Sequence, residues 1–412
     1  MVTNLNLSRK IKSFVLQLIL EVLDRPQDKL KFIHITGTNG KGSTAAMLSK
    51  ILEDAGYKVG LYTSPHIRFV NERIQINSSP IPMLELRQLE QEVKSIYLRF
   101  GVTPTEGFSQ TAIALKYFAD NNVDIVVFES HIGGLYDPTN IIKNTEVAVL
   151  TDIDADHFDV LGDTIEDIAT NKSYIIKENS SVVLYPSKHN SVIEIIKEKS
   201  IGHKLTISDF SALCIKKNDM NGLIVDYKNY KDINLPLLGE YQSKNLAVVI
   251  DTIEFLINKG YNISKDNIYN GIKNTKWPGR FEIRDNMVLD VAHNPQGLQV
   301  LLDSINYYLP NKKNIFVFGN YTNHDYKEML RMIEESGAEF VYFLKGRLKR
   351  EVNPEVLSEN YSGEHMVCDS IDQVFKLLSN YDKDKYNIII TGSFPVVAMA
   401  KNIIERGIKR CI

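Results

Sequence analysis

The chain has 412 residues, 43% hydrophobic and 24% charged, the proportions of a globular protein, and it is too long for a single core. With 48 basic against 51 acidic residues its formal charge is −3, which excludes the basic field that gathers nucleic acid or an anionic membrane. Three cysteines, Cys214, Cys368 and Cys411, stand far apart in no metal-binding spacing, as expected of reduced thiols in the cytoplasm.

The first predicted element is a helix over Ser8 to Asp24. Its apolar stretch Phe14 to Leu20 is interrupted by Gln17 and followed by Glu21 and Asp24, without a small-residue cleavage site, so it reads as an amphipathic helix and not a signal peptide. No other run approaches the roughly 20 apolar residues of a membrane span. A short strand, Phe32 to Ile35, then ends on a glycine-rich turn, and a helix follows over Ser43 to Ala55. Further β-branched runs at Tyr57 to Tyr62, Val123 to Phe128 and Val147 to Leu150, spaced by helical segments, predict a parallel sheet wrapped by helices. Lys204 to Leu238 alternates instead, with Asp219-Met220-Asn221-Gly222 as a turn signal, and predicts an antiparallel excursion before a helix over Gln242 to Asn258.

The segment Thr275 to Phe281 holds the only tryptophan with a proline and a glycine, and strand–helix alternation restarts after it. A domain junction is placed here, giving a first domain over 1–277 and a second over 283–412. In the second, strands are predicted at Met287 to Asp290, Ile315 to Phe318, Phe340 to Leu344 and Asn387 to Thr391. Helices fall at Gly297 to Tyr308, Tyr326 to Ser336, Ile371 to Ser379 and Pro395 to Arg406, a smaller Rossmann-like α/β domain.

The strongest chemical signal is His34-Ile35-Thr36-Gly37-Thr38-Asn39-Gly40-Lys41-Gly42-Ser43-Thr44, between an apolar strand and a helix. It reads as a phosphate loop. Glycines let the backbone turn its N–H groups toward a polyphosphate, Lys41 neutralises the outer phosphates, and the hydroxyl of Ser43 or Thr44 can help hold Mg²⁺. Thr38, Asn39, Gly40, Lys41, Gly42, Ser43 and Thr44 are therefore candidate nucleotide contacts. Glu129 closes a buried strand at the edge where open α/β sheets place ligands, a position suited to a metal-binding carboxylate. GxGxxG is absent, which argues against a dinucleotide enzyme.

HITGTNGKGST resembles the ATP loop of the folylpolyglutamate and dihydrofolate synthases, relatives of the Mur peptidoglycan ligases. The likeness continues in GLYTSPHIRFVNERIQIN (Gly60 to Asn77), in Asp152 to Ile176, in WPGRFE and in LDVAHNP, so it spans most of the chain. It implies a P-loop Mur-ligase-like domain joined to the smaller domain. The implied activity is a monomeric cytoplasmic ligase that uses ATP and Mg²⁺ to activate a folate-like carboxylate as an acyl phosphate and couple it to glutamate. It further implies that Ser64, Glu129 and His157 gather Mg²⁺, that Lys172 is a carbamylated catalytic lysine, and that Asn245, Arg280, Asp290 and His293 bind nucleotide. From the residues alone, His157 also reads as a surface or capping histidine, Lys172 as a solvated helix lysine, and Asp290 to Pro295 as a strand-to-helix capping turn.

The sequence departs from the family pattern in particular places. His131 stands for a glycine and Leu135 for a frequent arginine in the stretch after Glu129, and Gly107-Phe108 stand where an acidic pair is usual. Tyr241 replaces a histidine, and Asn323-His324-Asp325 stand for DKD. These motivate a second reading, a paralogue coupling an amino acid to a non-folate acid. A third, a nucleotide-binding regulator that has lost ligation, is opposed by Lys41, Glu129, His157 and Lys172.

Overall fold

A computed structural model describes residues 2–410 apart from 156, 157, 323 and 347. Three sheets organise them. The largest has eight strands: β1 (Phe32–Thr36), β2 (Val59–Tyr62), β3 (Ile74–Ile76), β4 (Ser79–Pro80), β5 (Ile125–Glu129), β6 (Thr145–Leu150), β7 (Ser181–Leu184) and β8 (Leu205–Ile207), in the spatial order β4-β3-β2-β5-β1-β6-β7-β8. All its pairings are parallel except β2 with β3 and β3 with β4.

β1 shows why this sheet is covered on both sides. Its five residues are all buried, and successive side chains point to opposite faces. Ile33 and Ile35 enter one apolar cluster together with residues of the helices Lys41–Asp54 and Tyr241–Asn258. Phe32 enters another with the helices Val2–Val22, Met83–Arg99 and Glu106–Asp120.

The predicted antiparallel excursion is a three-stranded sheet of β9 (Leu213–Asp219), β10 (Gly222–Tyr227) and β11 (Tyr230–Leu235), with β10 central. The turn signal lies between β9 and β10, where the Asp219 carboxylate accepts from the Asn221 N–H at 2.9 Å. Leu223, Val225 and Leu235 pack into the same cluster as Ile33 and Ile35.

The third sheet has six strands: β12 (Glu282–Arg284), β13 (Met287–Leu289), β14 (Lys313–Phe318), β15 (Phe340–Leu344), β16 (His365–Cys368) and β17 (Tyr386–Thr391), ordered β12-β13-β17-β14-β15-β16. Only β12 runs antiparallel to its neighbour. In β14, Phe316 and Phe318 feed one cluster while Ile315 and Val317 feed the opposite one.

Several expected boundaries moved by a few residues. The first helix runs Val2–Val22, and the helix after the phosphate loop starts at Lys41 and not Ser43, with Gly40 as its N-terminal cap at φ +85°. Among the described residues no helix is long and apolar enough to cross a membrane.

In the eight-stranded sheet β1 is the point where chain order reverses, with β5 on one side and β6 on the other. The crevice beyond the carboxyl ends of such strands is where an open α/β sheet can receive a ligand.

Candidate active site

Beyond β1, backbone and helix make one concave surface. A Cβ on Gly37 would stand 1.9 Å from the Thr151 hydroxyl oxygen, so only glycine lets the loop pass the segment following β6. Gly40 has the left-handed φ given above, and a Cβ there would meet the Asn245 side-chain oxygen at 2.5 Å. The Trp277 indole closes on Gly42, 2.8 Å from where a Cβ would sit, which brings the WPGRF segment onto the loop. His34, by contrast, belongs to the core: its Nε2 lies 2.8 Å from Thr139 Oγ1, and burial pulls its pKa down to about 3.

Lys41 Nζ donates to the carbonyls of Gly37 and Thr38, both at 3.1 Å. Thr38 is tied to the turn after β6, its hydroxyl donating to the Asp154 carbonyl at 2.9 Å. Ser43 Oγ accepts from Gln242 Nε2 at 3.3 Å, and Gln242 accepts from Asn245 Nδ2 at 3.0 Å, so the helix Tyr241–Asn258 buttresses the loop from behind. Thr44 is fully buried, and its hydroxyl has no hydrogen-bond partner among the described residues.

Glu129 ends β5 with 3% of its surface exposed. Its carboxylate accepts from the Ser64 N–H at 3.3 Å, and burial pushes its pKa up to about 7 despite the nearby charges of Lys41 and Arg280. Lys172 is also buried, and its Nζ donates to the Gly37 carbonyl at 2.8 Å beneath the phosphate loop. It is not a solvated helix lysine.

The six-stranded sheet turns its own carboxyl ends toward the same space. Asp290, just past β13, accepts from the N–H groups of Phe281 at 2.7 Å and Ala292 at 2.8 Å. It thereby braces the segment carrying Arg280, and the strand-to-helix capping turn that the residues alone suggest is made by Asn294, whose side chain accepts from the Gly297 N–H at 2.7 Å. His293 Nδ1 lies 2.8 Å from the Val291 carbonyl, and its ring stands edge-on to His324 at 5.1 Å. The Arg280 guanidinium lies over the Phe394 ring, 5.7 Å from its centroid.

Between the two sheets lies a cavity of about 510 Å³. Its lining holds Lys41, Ser43, Ser64, Glu129, Lys172, Asn245, Arg280, Asp290 and His293, and also Thr38, Asn39, Gly40 and Gly42. Thr44 and Leu135 do not line it, and His157 lies outside the described residues. The structure therefore gathers the other candidates around one space, with Thr44 set behind it.

Several cavity residues had no local sequence signal. Gln296 Oε1 accepts from Asn39 Nδ2 while its Nε2 donates to Asp152 at 2.7 Å, linking the phosphate loop and the end of β6 to the second sheet. Arg73 donates to His66 Nδ1 at 2.9 Å and pairs with Glu106 at 2.8 Å. Arg73 lies in the GLYTSPHIRFVNERIQIN stretch, directly after Glu72 and before Ile74, and nothing beside it marks it for the cavity.

The chain matches the Mur ligase middle domain over residues 35–253 and the Mur ligase glutamate ligase domain over residues 279–394. The chain belongs to the Mur ligase family. It is similar to the dihydrofolate synthase/folylpolyglutamate synthase of Bacillus subtilis, with 30% identity over 90% of each chain, and to the folylpolyglutamate synthase of Lacticaseibacillus casei, with 34% identity over 76% of each. Among solved structures it superposes on Mycobacterium tuberculosis folylpolyglutamate synthase complexed with ADP and AMPPCP, with a TM-score of 0.85, 26% identity and 95% of both chains covered. An Escherichia coli relative in complex with DHPP and ADP gives a TM-score of 0.82 at 26% identity, covering 94% of this chain and 93% of that one. As a Mur ligase, the protein is an ATP-dependent enzyme that joins a carboxylic acid to an amino acid. Of the departures from the family pattern, His131 and Gly107 line the cavity beside Arg73 and Glu106, Tyr241 and His324 line it as well, and Leu135 does not.

Proposed function

We propose that this Mur ligase adds L-glutamate to dihydropteroate or to a reduced folate. The observation that carries the reading is the placing of Glu129 and Lys41 in one cavity closed by the second sheet. Relatives named for both folate reactions, and relatives complexed with ADP, support it.

ATP lies along the phosphate loop, with loop N–H groups and Lys41 on the phosphates and Asn245 toward the base. Its attachment is completed by Arg280 and His293 from the second sheet, while Asp290 positions Arg280. A buried carboxylate beside a serine hydroxyl and a phosphate site is an oxygen-donor set that suits Mg²⁺, which takes few protein ligands. Glu129 and Ser64 would hold it, with His157 as the third candidate, and the ion would neutralise charge on the phosphates.

In the reaction the acid's carboxylate oxygen attacks the γ-phosphorus and ADP leaves, giving an acyl phosphate. The glutamate nitrogen attacks the acyl carbon, phosphate leaves, and the amine loses a proton. Lys41 spreads the charge that builds on the transferred phosphoryl group. Lys172, beneath Gly37, positions the loop, and as a carbamate it would present an anion at the same spot. The two closing bodies are residues 1–277 and 283–412, which together exclude water that would destroy the acyl phosphate.

Hydroxylamine offered in place of glutamate tests this directly. The expected product is the hydroxamate of dihydropteroate, formed in step with ADP. ADP release without hydroxamate, from a protein that turns over no pterin acid, would overturn the reading.

A further inference from the structure

The cavity has two ends. One is lined by Asn245, Tyr185, His293 and Gln296, and the other by Arg73, Glu106, Gly107, His131 and Ile132, with Lys41, Glu129 and Lys172 also lining it. If nucleotide phosphates lie at Lys41, the acid's carboxylate must meet them there and the rest of the acid must extend into the second end.

That end is built around an imidazole. His131 Nε2 lies 2.7 Å from the Tyr62 hydroxyl, and the two rings stack at 5.4 Å between centroids with planes inclined by 26°. On its other side the ring rests against Gly107, where a Cβ would stand 2.9 Å from Nδ1 and 3.2 Å from Cε1. A side chain at 107 and an imidazole at 131 therefore exclude one another. The histidine occupies room that exists because residue 107 has none.

The nearby charges restrict what fits. Arg73 is already paired with Glu106. The Asp137 carboxylate lies behind the ring, accepting from the N–H groups of Ile132 at 2.7 Å and Thr139 at 3.0 Å. Arg9 donates to the Ile132 carbonyl at 3.1 Å, so among the described residues an anionic head group would meet cations that are already engaged and one carboxylate behind the ring. The ring has two nitrogens, and with Nε2 engaged by Tyr62 it is Nδ1, on the Gly107 side, that is left to meet the edge of a ligand.

We propose that His131, seated between Tyr62 and Gly107, is the specificity-determining residue for the acid: it admits a flat, uncharged head with hydrogen-bonding edges, such as a pterin, and disfavours a charged one. The inference rests on the ligase reading above and deepens it.

The test compares wild type with His131→Ala, His131→Gln, Gly107→Ala and the double variant Gly107→Ala/His131→Ala, using dihydropteroate, ATP and L-glutamate, with ATP binding as a check on folding. His131→Ala is expected to raise the KM for dihydropteroate about tenfold, with the KM for ATP and kcat within about twofold. Gly107→Ala should do the same by displacing the ring, the double variant should be no worse than either single one, and His131→Gln should recover about half of the loss on a logarithmic scale. An unchanged acid KM in His131→Ala, or acid and ATP KM rising together, overturns the inference while leaving the function standing. A wild type inactive on dihydropteroate beside an active His131→Ala overturns the inference, because the ring would then exclude the head it is said to admit. If both bind ATP and neither ligates dihydropteroate, dihydrofolate or tetrahydrofolate, both readings fall.

Discussion

Glu129 holds a carboxylate where water cannot solvate it, and the protein bears the cost until a cation arrives. Its pKa rises from 4.5 to about 7 in the folded chain. Between those values the native state keeps a proton that the unfolded chain releases, so its stability contribution is full at low pH and is lost as pH rises toward the folded pKa. Above it the metal-free protein forgoes about 3 kcal/mol, because each tenfold change in proton affinity is worth roughly 1.4 kcal/mol. Glu129→Gln should therefore be more stable than wild type by up to that amount near pH 8 and by little near pH 5, as read from urea melts without Mg²⁺; equal gains at both would contradict the burial argument. The same substitution should raise the Mg²⁺ needed for turnover sharply. Lys41→Ala removes the charge facing the phosphoryl group, and ADP formation should fall about 100-fold or more in a coupled assay, whereas an unchanged rate would remove Lys41 from the mechanism.

Among the elements, the phosphate loop is the most tightly specified. Gly37 passes so close to Thr151 that even one methyl group must displace a strand end. Gly37→Ala should destabilise the fold by about 2 kcal/mol, the cost of an overpacked site, and weaken nucleotide binding with it, which thermal melts with and without ATP would measure. This loop and the strand ending in Glu129 were readable in the sequence because their signals are local: a run of glycines with a lysine, and an apolar run closed by an acid. The helix start was misplaced by two residues because Gly40 caps it with its own backbone, leaving no side chain to mark the place. β8 lies inside the stretch from Lys204 to Leu238 that was expected to be antiparallel, yet it joins the large sheet parallel to β7; its three residues are all half buried, so nothing in them marks the parallel pairing. Contacts that complete the site were illegible for a different reason. Asn39 meets Gln296 across 257 residues and Ser43 meets Gln242 across 199, and nothing in either segment points to the other.

Across the whole molecule, the two carboxyl-end surfaces face each other and polar ties join them, with Tyr308 also accepting from the Gly239 N–H at 3.0 Å. Gln296 joins the phosphate loop and Asp152 to the second sheet, and Arg68 in the loop after β2 reaches Asn402 at 2.8 Å and pairs with Glu405 on the last helix. A closed form tied in this way can open to release product. Gln296→Ala should shift the balance toward open, raising the KM for ATP by about fivefold, the worth of a hydrogen bond or so, and increasing the radius of gyration seen by solution scattering with nucleotide bound. A variant with unaltered KM and scattering would show that the tie does not govern closure. The family sets the chemistry of ligation, and the end of the cavity around His131 sets the acid.

The most direct measurement is the mass of the product after incubation with ATP, Mg²⁺ and L-glutamate, with dihydropteroate, dihydrofolate and tetrahydrofolate offered separately. A glutamyl increment on at least one of these pterin acids, formed in proportion to ADP, is the predicted result. Intact acids in all three reactions, from a protein that still binds ATP, would contradict the assignment of a folate-type acid to this ligase.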